Sequence, residues 1–137
     1  MLNYRLVHPP LIGALAAAGH GTRILIADGN FPYSSHTNAR ATTVHLNLRP
    51  GLMTVDDVLP VILDAVSVER AVVMDPVGAS AIAQDGYRTA LPPSVPIDRV
   101  ERFSFYDLTR AHDTMVVIAT ADQRLYANLL LTIGLAV

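Results

Sequence analysis

Three consecutive pieces decide the fold: Gly19-His20-Gly21-Thr22, then Arg23-Ile24-Leu25-Ile26-Ala27, then Asp28-Gly29-Asn30-Phe31-Pro32. The middle piece is a short aliphatic run bounded by turn residues, and it reads as a buried strand over 23–27. Ahead of it, residues 10–18 read as a helix, with Pro9-Pro10 at its opening and Gly19 at its close. Behind it, Asp28 stands where the strand stops. In α/β proteins ligands are held at the carboxyl ends of strands. An imidazole and a carboxylate that share one pocket are enough to move protons on a small substrate.

Outward from that stretch, helical and extended patterns alternate. Residues 29–40 form a polar loop, long enough to be a candidate functional loop. Residues 42–48 alternate, with Val44, Leu46 and Leu48 on one side, and read as a strand. Thr54, followed by Asp56 and Asp57, caps a helix running through Leu59, Ile62 and Val66, with Pro60 bending it. Residues 70–74 are a strand covered on both faces, and 79–91 a helix. Residues 97–100 read as extended, 102–109 as helix, and 115–119 and 125–133 as strands. No repeat or composition break divides the chain, so residues 1–137 make one α/β domain.

Composition narrows the chemistry. The chain is 51% hydrophobic and only 16% charged, an excess that either thickens the core or is covered when subunits associate; a symmetric homo-oligomer is expected. A net charge of −2 without a Lys/Arg cluster offers nothing to nucleic acid or an anionic membrane. The absence of cysteine removes disulfides, iron–sulfur clusters, thiolate zinc and thiol nucleophiles, and fits a cytoplasmic protein. The apolar run Leu11–Ala18 falls short of the roughly 20 residues a membrane span needs and reads as a helix rather than a leader. His8, His36, His45 and His112 show no zinc-binding spacing. Gly19 and Gly21 precede a strand and lack the third glycine of a phosphate loop. No Gly-x-Ser-x-Gly elbow occurs. Neither a metal nor a cofactor is expected.

Five residues stand out as candidates. His20 is a candidate general acid or base, because imidazole titrates near neutrality; the competing reading is a solvent-facing loop histidine. Asp28 ends an aliphatic strand, where burial is costly unless it gains partners. Its rival reading, an Asp-Gly hairpin turn, conflicts with the long loop that follows. Arg102 sits at a helix start, the electrostatically wrong end for a cation, which suggests a further role; Phe103 and Tyr106 beside it are expected in the core. Tyr126 and Asn128, two apart on a strand, would offer a phenol and an amide to one pocket.

Assembled, these pieces resemble the sugar mutarotase family that holds L-fucose mutarotase and D-ribose pyranase. The matching segments are Gly19-His20-Gly21, Ile26-Ala27-Asp28 with Phe31-Pro32, Arg102-Phe103-x-Phe105-Tyr106, and Ala119-Thr120 through Tyr126-Ala127-Asn128-Leu129-Leu130-Leu131 to Gly134. The resemblance implies an α/β domain with a mixed sheet, and ring-shaped homo-oligomers, often decamers, with sites at subunit interfaces. It implies His20 as the acid/base residue, with Asp28, Arg102, Tyr126 and Asn128 contacting a free monosaccharide. Arg102 is similar to the fucose branch, whereas Leu46–Gly51 and Val68–Val72 lean toward the pyranase pattern. Thr120-Ala121-Asp122 replaces the family's Thr-Gly-Glu, and Arg110–Asp113 replaces a lysine common in the fucose branch. The expected activity is anomer interconversion of L-fucose or a related sugar. The alternatives are a D-ribose pyranase and a non-catalytic sugar-binding accessory of uptake.

Overall fold

In a computed structural model describing residues 1–137, ten elements follow in the order α1 (Pro9–Ala17), β1 (Arg23–Ala27), β2 (Thr42–His45), α2 (Val55–Ala65), β3 (Val68–Met74), α3 (Ile82–Ala90), β4 (Ile97–Val100), α4 (Arg102–Arg110), β5 (Thr114–Ala119) and β6 (Leu129–Ile133). Local chemistry sets the helix starts. Pro9 and Pro10 fill the first positions of α1, where a missing N–H costs nothing, and the His8 imidazole accepts from the Leu11 N–H. Thr54 and Asp57 cap α2 reciprocally, each side chain accepting from the other's backbone N–H.

The strands form one mixed sheet in the order β2-β5-β1-β6-β3-β4. β5 runs parallel to β1 and β2, and β4 parallel to β3; β6 runs antiparallel to both its neighbours, β1 and β3. The carboxyl ends of five strands therefore share one edge with the amino end of β6. Ile26 pairs with Leu129, which sets Asp28 beside Asn128.

Helices cover both faces, which is why β1 is aliphatic at successive positions: Ile24, Leu25 and Ile26 are all fully buried. Ile24 and Ile26 pack with Leu129 and Leu131 against α1, α2 and α3, through Leu11, Leu59, Ile62 and Tyr87. Leu25, Val117 and Leu130 face the other way, toward Phe105 of α4 and Phe31 of the long loop.

Three expectations change. The strand expected over 125–133 begins only at Leu129, because Tyr126 lies at φ +57°, a left-handed conformation that no strand accommodates. In α4 the buried stripe is Phe105 and Thr109, while Phe103 is 67% exposed; the hydrophobic phase is displaced from the Phe103–Tyr106 pairing expected. β2 stops at His45, and the chain turns back through Leu48 and Leu52, joined by a 2.9 Å backbone hydrogen bond.

Candidate functional site

Asp28 leaves β1 at the shared edge and is only 4% exposed. Its burial is compensated, as the cost of desolvating a carboxylate requires. Oδ1 accepts from the Asn30 N–H at 2.9 Å, and Oδ2 accepts from Asn128 Nδ2 at 2.9 Å. Asn128 Oδ1 in turn accepts the Asp28 N–H at 2.7 Å. Two residues a hundred positions apart are thus locked reciprocally, with the Asn128 side-chain amide fixed at both its oxygen and its nitrogen. Desolvation pushes the Asp28 carboxyl above its ordinary value of 3.8, partly opposed by backbone N–H donors from Asn30 and Phe31.

Asp28 and Asn128 form the floor of a hollow of about 200 Å³ whose wall includes Arg102, Tyr106, Tyr126, Phe31 and Met74. That is smaller than the roughly 300–1,000 Å³ of sites for drug-sized ligands, and suits one small polar molecule. Arg102 is the first residue of α4, exposed and without an ion-pair partner, so its donors are free. Four of the five candidates, Asp28, Arg102, Tyr126 and Asn128, therefore meet around one hollow. Tyr126 and Asn128 reach it from a loop rather than from the strand face expected. Tyr106, expected in the core, is half-buried and lines the hollow, its ring packed edge-on against Phe31.

Two residues of α3 hold that loop in place and carried no sequence signal beyond being polar groups on an apolar helix face. Gln84, buried, donates through Nε2 to the carbonyls of Met74 at 2.7 Å and Tyr126 at 3.0 Å. The fully buried Tyr87 hydroxyl donates to the carbonyl of Ala127, and desolvation raises its pKa above the ordinary phenol value. Tyr87→Phe should cost about 1–2 kcal/mol, since the Ala127 carbonyl is left buried and unpaired. Urea unfolding checks it; an unchanged midpoint refutes the clamp.

His20 lies elsewhere. β1 separates it from Asp28 by roughly 16 Å of extended chain, so the two occupy opposite edges of the sheet. The imidazole is about half exposed, and Nε2 sits 3.0 Å from Glu69 Oε2. It lines a separate, mostly apolar hollow of about 760 Å³ with Leu15, Leu63, Val66 and Ile133. Within one chain, His20 and Asp28 do not share a pocket. No three His, Asp or Glu side chains converge as metal ligands would.

The RbsD / FucU transport protein family matches residues 1–136. A D-ribose pyranase of Paracidovorax citrulli is 35% identical over 135 residues, covering 98% of each chain. A fucose mutarotase of Mus musculus is 32% identical over 142 residues, covering 95% of this chain and 90% of its own. The structure of Bacillus subtilis RbsD complexed with D-ribose superposes over the whole of both chains with a TM-score of 0.87 at 25% identity.

Proposed function

The chain belongs to the RbsD / FucU family, and from that premise we propose that it is an isomerase interconverting the ring forms of a free reducing monosaccharide. The observation that carries the reading is the convergence of the locked Asp28–Asn128 pair with Arg102 and Tyr126 around one small hollow. Carboxylate, amide, phenol and guanidinium together accept from and donate to several hydroxyls at once, which a sugar presents and an apolar ligand does not.

Ring opening is a proton-transfer reaction. The anomeric hydroxyl loses a proton to a base as the bond from the anomeric carbon to the ring oxygen breaks. The ring oxygen keeps that electron pair and takes a proton from water. Closure on the other face of the carbonyl reverses both transfers. We assign the base to His20, hydroxyl binding to Asp28, and recognition to Arg102, Tyr126 and Asn128.

His20 reaches the sugar from a neighbouring copy, the amino edge of one subunit meeting the carboxyl edge of the next in a ring-shaped homo-oligomer. Apolar surface supports this at both edges: the hollow around His20 at one, and exposed Val77, Ile82, Phe103 and Leu125 at the other. No helix is long and apolar enough to cross a membrane. We place the protein in the cytoplasm, a reducing compartment that suits its cysteine-free composition. Arg102 favours L-fucose as the sugar, with D-ribose the alternative.

Saturation-transfer NMR tests the reading. Exchange between anomers of L-fucose is expected to run faster with protein than in buffer, and faster than for D-ribose. Rates equal to buffer for both sugars would discard the proposal. Light scattering checks the assembly; a monomer at all concentrations removes the two-copy site.

A further inference from the structure

β3 and β6 pair out of register at one point. Val68 faces Ile133 and Arg70 faces Thr132, so two steps along β3 match one along β6 and Glu69 is the extra residue. A bulge of this kind interrupts the ladder and re-aims a side chain. Here the re-aimed side chain is the carboxylate whose Oε2 lies 3.0 Å from His20 Nε2.

The surroundings are shaped to allow that approach. A Cβ on Gly134 would lie 3.1 Å from the Glu69 Cβ, a tight contact that Glu69 would have to relieve by shifting a few tenths of an ångström, so glycine leaves the carboxylate the most room. The His20 turn is pinned from the same side: Gly21, at φ +84°, donates its N–H to the Ile133 carbonyl at 2.9 Å. Turn, bulge and the end of β6 thus converge on one contact. A half-exposed contact of this kind, whether hydrogen bond or ion pair, adds little to stability, so fold stability does not explain the arrangement.

We propose that Glu69 is the positioning residue of His20, holding the Nε2 proton so that Nδ1 presents its lone pair to the sugar of the adjoining copy. This rests on the mutarotase reading. A carboxylate oxygen only accepts, so in the neutral imidazole the proton is on Nε2 and the basic nitrogen is Nδ1. Nδ1 then takes the anomeric proton while Glu69 stabilises the resulting imidazolium and keeps the ring from turning.

Glu69→Ala, Glu69→Gln and Gly134→Ala test the proposal. Glu69→Ala is expected to lower kcat for anomer exchange roughly tenfold, a fraction of what an acid–base group supplies, with KM unchanged. In long-range ¹H–¹⁵N spectra of the neutral imidazole, its His20 Nδ1 signal should move from the pure lone-pair position toward the two-tautomer average. Glu69→Gln keeps an acceptor oxygen and should keep the tautomer, but it loses the charge that steadies the imidazolium and should retain only part of the rate. Gly134→Ala crowds Glu69 and should fall between. Wild-type kcat and an unchanged His20 spectrum in Glu69→Ala overturn the proposal, as does a loss confined to KM. A wild-type protein that speeds no sugar's exchange overturns the mutarotase reading instead, and the tautomer spectra still decide the Glu69 contact.

Discussion

His20→Ala is expected to reduce catalysed anomer exchange by about 10²–10⁴-fold, the full contribution of a general acid–base group, while the protein stays folded and still binds sugar. Folding is spared because the ring is half exposed and Glu69 is the only side chain it bonds. Binding is spared because Asp28, Arg102, Tyr126 and Asn128 all line the hollow at the other edge. The loss should appear in kcat with little change in KM. A His20→Ala protein that exchanges anomers at the wild-type rate removes His20 from the mechanism. If the parent binds sugar and never accelerates exchange, the sugar-binding accessory replaces the enzyme. A mixing experiment tests where the histidine comes from. His20→Ala and Asp28→Asn chains, each expected to be impaired alone, should recover part of the activity when co-assembled, since some mixed interfaces join an intact His20 to an intact Asp28. No recovery on co-assembly would mean that both groups must come from one chain.

Arg124→Met is expected to destabilise the fold by about 3 kcal/mol, at the low end for breaking a buried pair because Arg124 is itself a third exposed. Asp122 is 1% exposed and lies 2.6 Å from the Arg124 guanidinium, which also reaches Asp56 at 2.8 Å. Asp122 Oδ2 further accepts the N–H of Val55 at the start of α2, tying the turn after β5 to that helix. Burial alone would raise the Asp122 carboxyl, but the hydrogen bonds from Arg124 and from the Val55 N–H outweigh it and hold it below 3.8. A depressed carboxyl contributes stability that is present above its unfolded value and lost as pH falls through its folded value. The wild-type advantage should therefore be largest near neutrality and shrink below about pH 4. Asp28 runs the other way: raised above 3.8, it favours the folded state more as acid protonates it. Urea unfolding of both proteins at pH 7 and in acid measures this; a constant difference across that range refutes the assignment to Asp122.

β1 was legible from sequence to the residue, because an aliphatic run between turn residues has one cheap solution, a strand buried on both faces. Asp28 was legible for the same reason: a carboxylate closing such a strand must find partners. What escaped was non-local or against type. Nothing in the chain marks Tyr126 for a left-handed φ, a conformation that non-glycine residues enter only when neighbours enforce it. The enforcing groups, Gln84 and Tyr87, lie about forty positions earlier in the chain. The α4 phase was misjudged because Phe103, Phe105 and Tyr106 each look like core, and only packing chooses among them. Glu69 meets His20 across 49 positions through a register slip that no periodicity reveals. The separation of His20 from Asp28, by contrast, is implicit in the sequence, since a whole strand lies between them.

β6 runs from Leu129, next to Asn128 at one edge, to Ile133, next to Gly134 at the other, so this short antiparallel strand spans the distance between the Asp28–Asn128 hollow and the imidazole turn. In a two-copy arrangement every protomer then carries two incomplete halves facing opposite ways, and β6 is the ruler that sets their pitch. Lengthening or shortening it would leave each half well formed yet mismatched to its neighbour. Dilution below the assembly threshold would silence the catalyst before any chain unfolds.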